Sequence, residues 1–280
     1  MLFGAHISAA GGVQNAPENS AREGGEVFQF FSRPPQGGPA PKLTPEIIKQ
    51  FKANCQKYGQ KESYLHAPYF INFASANPRI KYGSIAAIRE ELERGTALGA
   101  KYLMTHLGSA KDLGIKPALK QTAEGVIKVL TGYRGSCELL LENSAGSGEI
   151  IGDDFAELGT IIKAVTKKLP KIKIGVCLDT CHAFASGYGW QSPVAVSATL
   201  KEFDRQIGLK YLKLIHLNDS LAEFNSHRDR HADLGDGQIG REGIIAIVKN
   251  LKLKKLSFIL ETPGEAERLR DLKFLKNLRS

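Results

Sequence analysis

Residues 212–242 read LKLIHLNDSLAEFNSHRDRHADLGDGQIGRE. A short apolar run, Leu212, Leu214 and Ile215, stops at His216, and a polar, glycine-rich loop carrying Asp229-Arg230-His231 follows. Neutral imidazole and carboxylate both suit borderline divalent ions. A His at the mouth of a strand with an Asp-x-His pair in the next loop is therefore a candidate set of metal ligands. Alone it decides nothing, because a strand-end His is more often hydrogen-bonded than metallated.

The same grammar recurs along the chain. Tyr64-Leu65 ends in His66, and Tyr102 to Thr105 ends in His106. Cys137 to Leu141 runs into Glu142, Ile174 to Leu178 into Asp179 with His182 three residues on, and Ser257 to Leu260 into Glu261. From His66 through His106, Glu142, Asp179 and His216 to Glu261 the spacings are 40, 36, 37, 37 and 45 residues. A strand, a helix and their loops fill about that length, since the crossover alone needs at least ~10–12 residues. Solvated or core residues do not repeat in this way.

Working outward, the remaining elements fall into the same alternation. A first strand, Leu2 to Ala5, ends at His6 and turns through Ser8-Ala-Ala-Gly-Gly12 into a helix near 13–23. A second, aromatic strand spans 26–31. Four prolines and two glycines between Pro34 and Pro41 make the next segment irregular. Thr44-Pro45-Glu46 starts a helix that Gly59 stops. Further helices are expected near 80–98, 117–130, 153–168, 196–207 and 243–251, with strands at 172–178 and 211–215 and a basic helical tail over 265–278. Eight strands, each nearly continuous in apolar residues, alternate with helices, as in a parallel sheet buried on both faces. The simplest closed solution is a (β/α)8 TIM barrel forming one domain over residues 1–280. Functional residues in that fold sit at the C-terminal ends of the strands. Closure would gather His66, His106, Glu142, Asp179, His216 and Glu261 into one ring, with His182, Asp229 and His231 in loops above it.

Composition supports an enzyme-sized globular chain: 280 residues, 42% hydrophobic and 24% charged, with formal net charge +9. A positive balance favours an anionic partner, and nucleic acid is the usual one. The cysteines Cys55, Cys137, Cys177 and Cys181 form no C-x-x-C pair, which argues against a zinc finger or a thioredoxin-type site and suits a reducing cytoplasm. The N-terminus MLFGAHISAAGG lacks a basic start and a long apolar core, so no signal peptide is expected. The charge-free stretch 63–78 holds a His, two Asn and two Pro and cannot cross a membrane.

Other polar residues read differently. His6 faces the rim in a supporting or structural role, and His227 lies in an exposed-looking loop without an evident task. Asp219, Asp233 and Asp236 suit turn formation and hydrogen bonding. The loop Asn143-Ser-Ala-Gly-Ser-Gly148 lacks the Gly-Lys-Ser/Thr of a phosphate-binding P-loop.

Several segments carry a family resemblance. Leu178-Asp-Thr-Cys-His-Ala-Phe-Ala185, His216-Leu-Asn-Asp219, Asp229-Arg-His231 with Leu234-Gly-Asp-Gly-Gln-Ile-Gly240, and Leu260-Glu-Thr262 resemble endonuclease IV. So do Gly4-Ala-His-Ile-Ser-Ala-Ala-Gly-Gly12 and Glu142-Asn-Ser-Ala-Gly146, and the likeness extends over essentially the whole chain. The resemblance implies a trinuclear zinc enzyme, with manganese an alternative at one site. His66 and His106 would hold one ion. Asp179, His216 and Glu261 would hold a second, bridged to the first by Glu142, and His182, Asp229 and His231 a third. It further implies a monomeric DNA-repair hydrolase, the deoxyribonuclease IV (phage-T4-induced) type. Such an enzyme cuts duplex DNA on the 5′ side of abasic sites, leaving 3′-hydroxyl and 5′-deoxyribose-phosphate ends. Glu142 and Glu261 would be its catalytic carboxylates, a water bridging the metals its nucleophile, and Tyr69 and Phe70 the pair entering the base stack. Gln36 and Arg230 are further candidate DNA contacts. In one respect the chain departs from the family: Gln36, Gly37 and Gly38 stand where relatives tend to carry Arg and Trp.

A phosphodiester repels hydroxide and has a poor leaving alkoxide, and two metals about 3.5–4 Å apart address both problems. No Ser-His-Asp signature competes with that chemistry. An abasic nucleotide also costs less to flip out, because no pairing is lost. Two rivals remain: a sugar isomerase or epimerase of the xylose-isomerase-like superfamily, needing fewer ions and no basic surface, and a non-catalytic nucleic-acid-binding barrel.

Overall fold

The structure, a computed structural model, describes residues 1–279. Eight parallel strands close into a barrel. They are β1 (Leu2–His6), β2 (Val27–Phe30), β3 (Glu62–His66), β4 (Tyr102–Thr105), β5 (Glu138–Glu142), β6 (Ile174–Asp179), β7 (Leu212–His216) and β10 (Ser257–Leu260). Each pairs with its neighbours in sequence order, and β10 closes on β1. The sequence expectation of a TIM barrel holds.

Closure fixes which residues face inward. Side chains alternate along a strand, so the interior takes every second residue: Val27, Tyr64, Tyr102, Met104, Leu140, Cys177, Leu214 and Ile259 form one buried cluster inside the barrel. Further along the same strands, in the same alternation, lie Gln29, His66, His106, Glu142, Asp179, His216 and Glu261. The polar ring is thus the next interior layer above an apolar one. The opposite strand faces, including Leu65, Leu103, Leu139, Leu141 and Ile215, join the larger core against the helices. At Gly4 a Cβ would fall 1.8 Å from the Val27 carbonyl oxygen, so only glycine lets β1 and β2 close there.

Around the barrel run α1 (Ala16–Arg22), α2 (Pro45–Lys57), α3 (Pro78–Leu98), α4 (Ile115–Leu130), α5 (Phe155–Lys168), α6 (Thr180–Ala185), α7 (Pro193–Gln206), α8 (Gly240–Lys249) and α9 (Glu265–Arg279). Helix starts follow capping chemistry: Thr44, Asn77, Asp154 and Ser192 each accept a first-turn backbone N–H. At Gly95 a Cβ would stand 2.7 Å from the Cys137 sulfur, so α3 sits directly on the barrel wall.

Two features above the rim differ from expectation. His182 lies on the short helix α6 rather than in a loop, because the Asp179 carboxylate accepts its backbone N–H and caps the helix. His231 lies on β9 (His231–Ala232), which pairs antiparallel with β8 (Asp219–Ser220). Neither two-residue strand has enough length to show a period. The buried Asp219 carboxylate accepts backbone N–H groups from Gly235, Gly237, Ile239 and Gly240, holding the glycine-rich return to α8. No helix among the described residues is long and apolar enough to cross a membrane.

Candidate metal centre

Nine side chains meet at the C-terminal mouth of the barrel in three groups, two of which share Glu142. His66, His106 and Glu142 form one; Glu142, Asp179, His216 and Glu261 a second; His182, Asp229 and His231 a third. Within each, the potential ligand atoms lie within 4.8 Å of one another. Glu142 belongs to two groups: its Oε2 is 3.3 Å from His66 Nε2 and 3.7 Å from His106 Nε2, while its Oε1 is 2.8 Å from His216 Nδ1. His216 Nδ1 also lies 3.2 Å from Glu261 and 3.8 Å from Asp179. In the third group Asp229 reaches His182 Nε2 and His231 Nε2, both at 3.3 Å.

Backbone carbonyls set the orientation of several rings. His66 Nδ1 lies 2.6 Å from the Ala67 oxygen, His182 Nδ1 3.1 Å from the Asn143 oxygen and His231 Nδ1 3.1 Å from the Glu261 oxygen. An Nδ1–H donated to each carbonyl leaves the Nε2 lone pair aimed into the mouth. His216 is reversed, with Nε2 2.8 Å from the Gln29 side-chain oxygen and Nδ1 facing three carboxylates. Gln29, Asn143 and Asn218 escaped sequence reading. Gln29 also donates to Glu261 and lies 2.8 Å from His6 Nδ1. Asn143 brackets the Asp179 backbone, accepting its N–H at 2.7 Å and donating to its carbonyl at 3.1 Å. Asn218 donates to the Asp179 carboxylate at 2.6 Å and accepts the Glu261 N–H at 2.7 Å. All three amides are buried. The legible signal for two of them was position, one residue after Glu142 and two after His216.

The electrostatics call for added positive charge. Burial opposes ionisation of Glu142, yet His106 and His216 hold it well below the usual carboxylate range. Glu261 is likewise held low against burial by His216, His6 and His66. Burial alone would lower His216, but Cys177, Glu261 and Glu142 raise it well above its ordinary value. Burial also opposes charge on His182, which Asp179 and Asp229 nonetheless lift to about 10, while His182 and His231 bring Asp229 down to about 2 against its own desolvation.

A divalent cation fits this donor set. Glu142 Oε2 is buried without a hydrogen-bond partner, a costly state that ligation relieves. The mix of imidazole and carboxylate suits zinc and its neighbours. A fourth grouping, Asp179, Cys181 and His231, brings a thiol to the edge of the centre, although burial pushes that thiol up and keeps it neutral.

The candidate DNA contacts are spread around the mouth. Tyr69 is 62% exposed and Phe70 39%. The Tyr69 ring stands edge-on to Phe31 at 5.3 Å. A cleft of about 550 Å³ runs beside this pair to His106, His182 and Asp229, next to a cavity of about 310 Å³ over the ring of ligands. Gln36 and Arg230 are exposed. Arg33, at the start of the irregular loop that carries Gln36, is buried, with its Nε 2.7 Å from Glu91. His227 is exposed but not idle: its carbonyl accepts from Ser147 and its ring lies 3.6 Å from Asp153.

Comparison with known proteins follows the same lines. Residues 17–278 match the family described as xylose isomerase-like TIM barrel. A relative in Halothermothrix orenii named probable endonuclease 4 is 36% identical over 279 residues, covering 100% of this chain and 99% of its own. The crystal structure of endonuclease IV from Thermus thermophilus superposes with a TM-score of 0.86 at 33% identity, covering 99% of this chain and 98% of that one. A D-tagatose 3-epimerase-like protein superposes at 0.73 with 18% identity, covering 99% and 97%, a likeness of fold alone.

Proposed function

The chain belongs to the endonuclease IV family, and from that premise we propose that it is a zinc-dependent repair endonuclease acting on duplex DNA at abasic sites. The observation that carries this reading is the sharing of Glu142 between two ligand groups, with a third group and an exposed aromatic pair at the same mouth. His66, His106 and Glu142 would hold one ion, Glu142, Asp179, His216 and Glu261 a second, and His182, Asp229 and His231 a third, with manganese an alternative at one. Bound ions would supply Lewis acidity toward the phosphate and lower the pKa of the attacking water.

The chain's own residues do the rest. Glu142 and Glu261, placed at the mouth among the ligand groups, accept hydrogen bonds from the attacking water and orient it. Attack at phosphorus breaks the bond to the upstream 3′ oxygen, which leaves protonated as a 3′-hydroxyl, and the phosphate stays on the abasic sugar. Tyr69 and Phe70 fill the gap in the stack, and the adjacent cleft of about 550 Å³ receives the extrahelical sugar. Gln36 and Arg230 contact the DNA backbone from the flanking loops. The enzyme works as a monomer, and its four free cysteines fit the reducing cytoplasm.

Metal analysis with cleavage of a duplex bearing one tetrahydrofuran abasic analogue tests the reading. The expected result is about three ions per chain and chelator-sensitive nicking that leaves a 3′ end a polymerase can extend. The logarithm of the binding constant should also fall with log salt by about 0.9 per phosphate contact. Binding without nicking would favour the non-catalytic barrel. Turnover of a ketohexose with no response to DNA would favour the epimerase.

A further inference from the structure

The irregular loop 32–41 is held at both ends by one side chain from outside the mouth. Arg94, on α3, donates from Nη2 to the Ser32 carbonyl at 2.6 Å and from Nη1 to the Pro41 carbonyl at 2.8 Å. Its Nε donates to the Ser32 hydroxyl at 2.7 Å, and that hydroxyl donates to Glu91 at 2.6 Å. Glu91 is fully buried and also accepts from Arg33 at 2.7 Å. Each nitrogen of the guanidinium's planar fork has a different acceptor, an arrangement an ammonium cannot reproduce.

The clamped loop in turn carries the exposed aromatic pair. The Pro35 carbonyl accepts the Tyr69 backbone N–H at 2.9 Å. Phe31, one residue before the clamped Ser32, presents its ring to Tyr69. A Cβ at Gly37 would lie 3.8 Å from the Phe70 ring, so the loop tip lies against the second aromatic. Two backbone segments far apart in sequence therefore share one support, and α3 is seated tightly on the barrel beneath it.

We propose that Arg94 is a positioning residue for substrate engagement: by closing both ends of the loop 32–41 it sets the placement of Tyr69 and Phe70 at the mouth. This rests on the endonuclease reading and adds to it a residue that touches neither metal nor DNA. Pre-set loops bind more tightly because less freedom is lost on binding. Loss of the clamp acts on the duplex complex and leaves the hydrolytic centre intact.

The test compares zinc-loaded wild type and Arg94→Lys on the abasic duplex and on bis(p-nitrophenyl) phosphate, a diester that presents no base stack for the aromatic pair to enter. Arg94→Lys should raise the duplex KM about fivefold or more with kcat within about twofold, and leave zinc content and small-diester hydrolysis unchanged. In a Tyr69→Ala background it should add less than it does in the parent, because residues acting through one another are not additive and only Phe70 is left to position. An unchanged duplex KM overturns the proposal, as does an equal loss on both substrates or full additivity with Tyr69→Ala. If Arg94→Lys does not fold, Arg94→Gln decides, since one amide cannot hold both the Ser32 and Pro41 carbonyls: a raised KM with retained kcat supports the clamp, and an unchanged KM removes it. Wild type that fails to nick the abasic duplex fails the endonuclease reading first, and the clamp with it.

Discussion

His182 Nε2 and His231 Nε2 stand 3.3 Å apart, and each ring has its Nδ1 against a backbone carbonyl. With both Nδ1 protons donated, two lone pairs face each other, an arrangement stable only with a proton or cation between them. Asp229 completes the triangle although its side chain is 53% exposed. Removing His231 should therefore empty this site alone. His231→Ala is expected to lose about one ion per chain and to retain the others, read by metal analysis of the purified protein. A full complement of metal in the variant would show that His231 is not a ligand.

Glu142 should be irreplaceable for a different reason. Glu142→Gln keeps the side-chain volume but removes the charge shared by two groups of imidazoles. Hydrolysis of the abasic duplex is expected to fall by orders of magnitude. The circular dichroism spectrum should stay that of the parent, because the barrel core lies beneath the ligand layer. Near-normal turnover would rule out the bridging role.

Tyr69 is exposed, so its removal leaves no cavity in the core. Stacking on a base is worth about 1–3 kcal/mol, and about 1.4 kcal/mol is a factor of ten in binding. Tyr69→Ala should weaken abasic-duplex binding about tenfold in a fluorescence titration, with metal content and melting temperature close to the parent. Early melting with zinc loss would mean that the ring supports the loop beneath it.

A pH effect on stability is expected from Glu157, which lies outside the ligand groups. Burial, with Asp153 and Asp154 nearby, lifts its carboxyl from 4.5 to about 7, although the Gly152 N–H donates to it at 2.7 Å. The folded chain therefore holds this proton more tightly than the unfolded chain does. Stability from the group is fully present below about pH 4.5 and is lost as pH rises toward 7. Glu157→Gln, which keeps an acceptor for Gly152 but carries no charge, should melt above the parent at about pH 8 and close to it near pH 4.5. Identical melting at both values would place the Glu157 titration in its ordinary range.

The barrel and the ring were legible in the residue order for one physical reason. Strands buried on both faces must be apolar along their length, so an ionisable residue ends such a run only where the strand leaves the core. His66, Glu142, Asp179 and His216 announce the mouth in this way, and the repeat length announces closure. The supports could not be read. Gln29 looks like one polar residue in an aromatic strand until closure places it between His216 and Glu261. Arg33 and Glu91 lie 58 positions apart, and nothing local marks them as a buried pair. His231 reaches the mouth because two-residue strands fold the loop back, an element too short for any periodicity. Residue order determined which side chains could bind metal, since hydrophobic period and ligand chemistry are local properties. Which nitrogen of each imidazole is free, and what holds the aromatic pair in place, depend on carbonyls and guanidinium donors brought close only by the closed barrel.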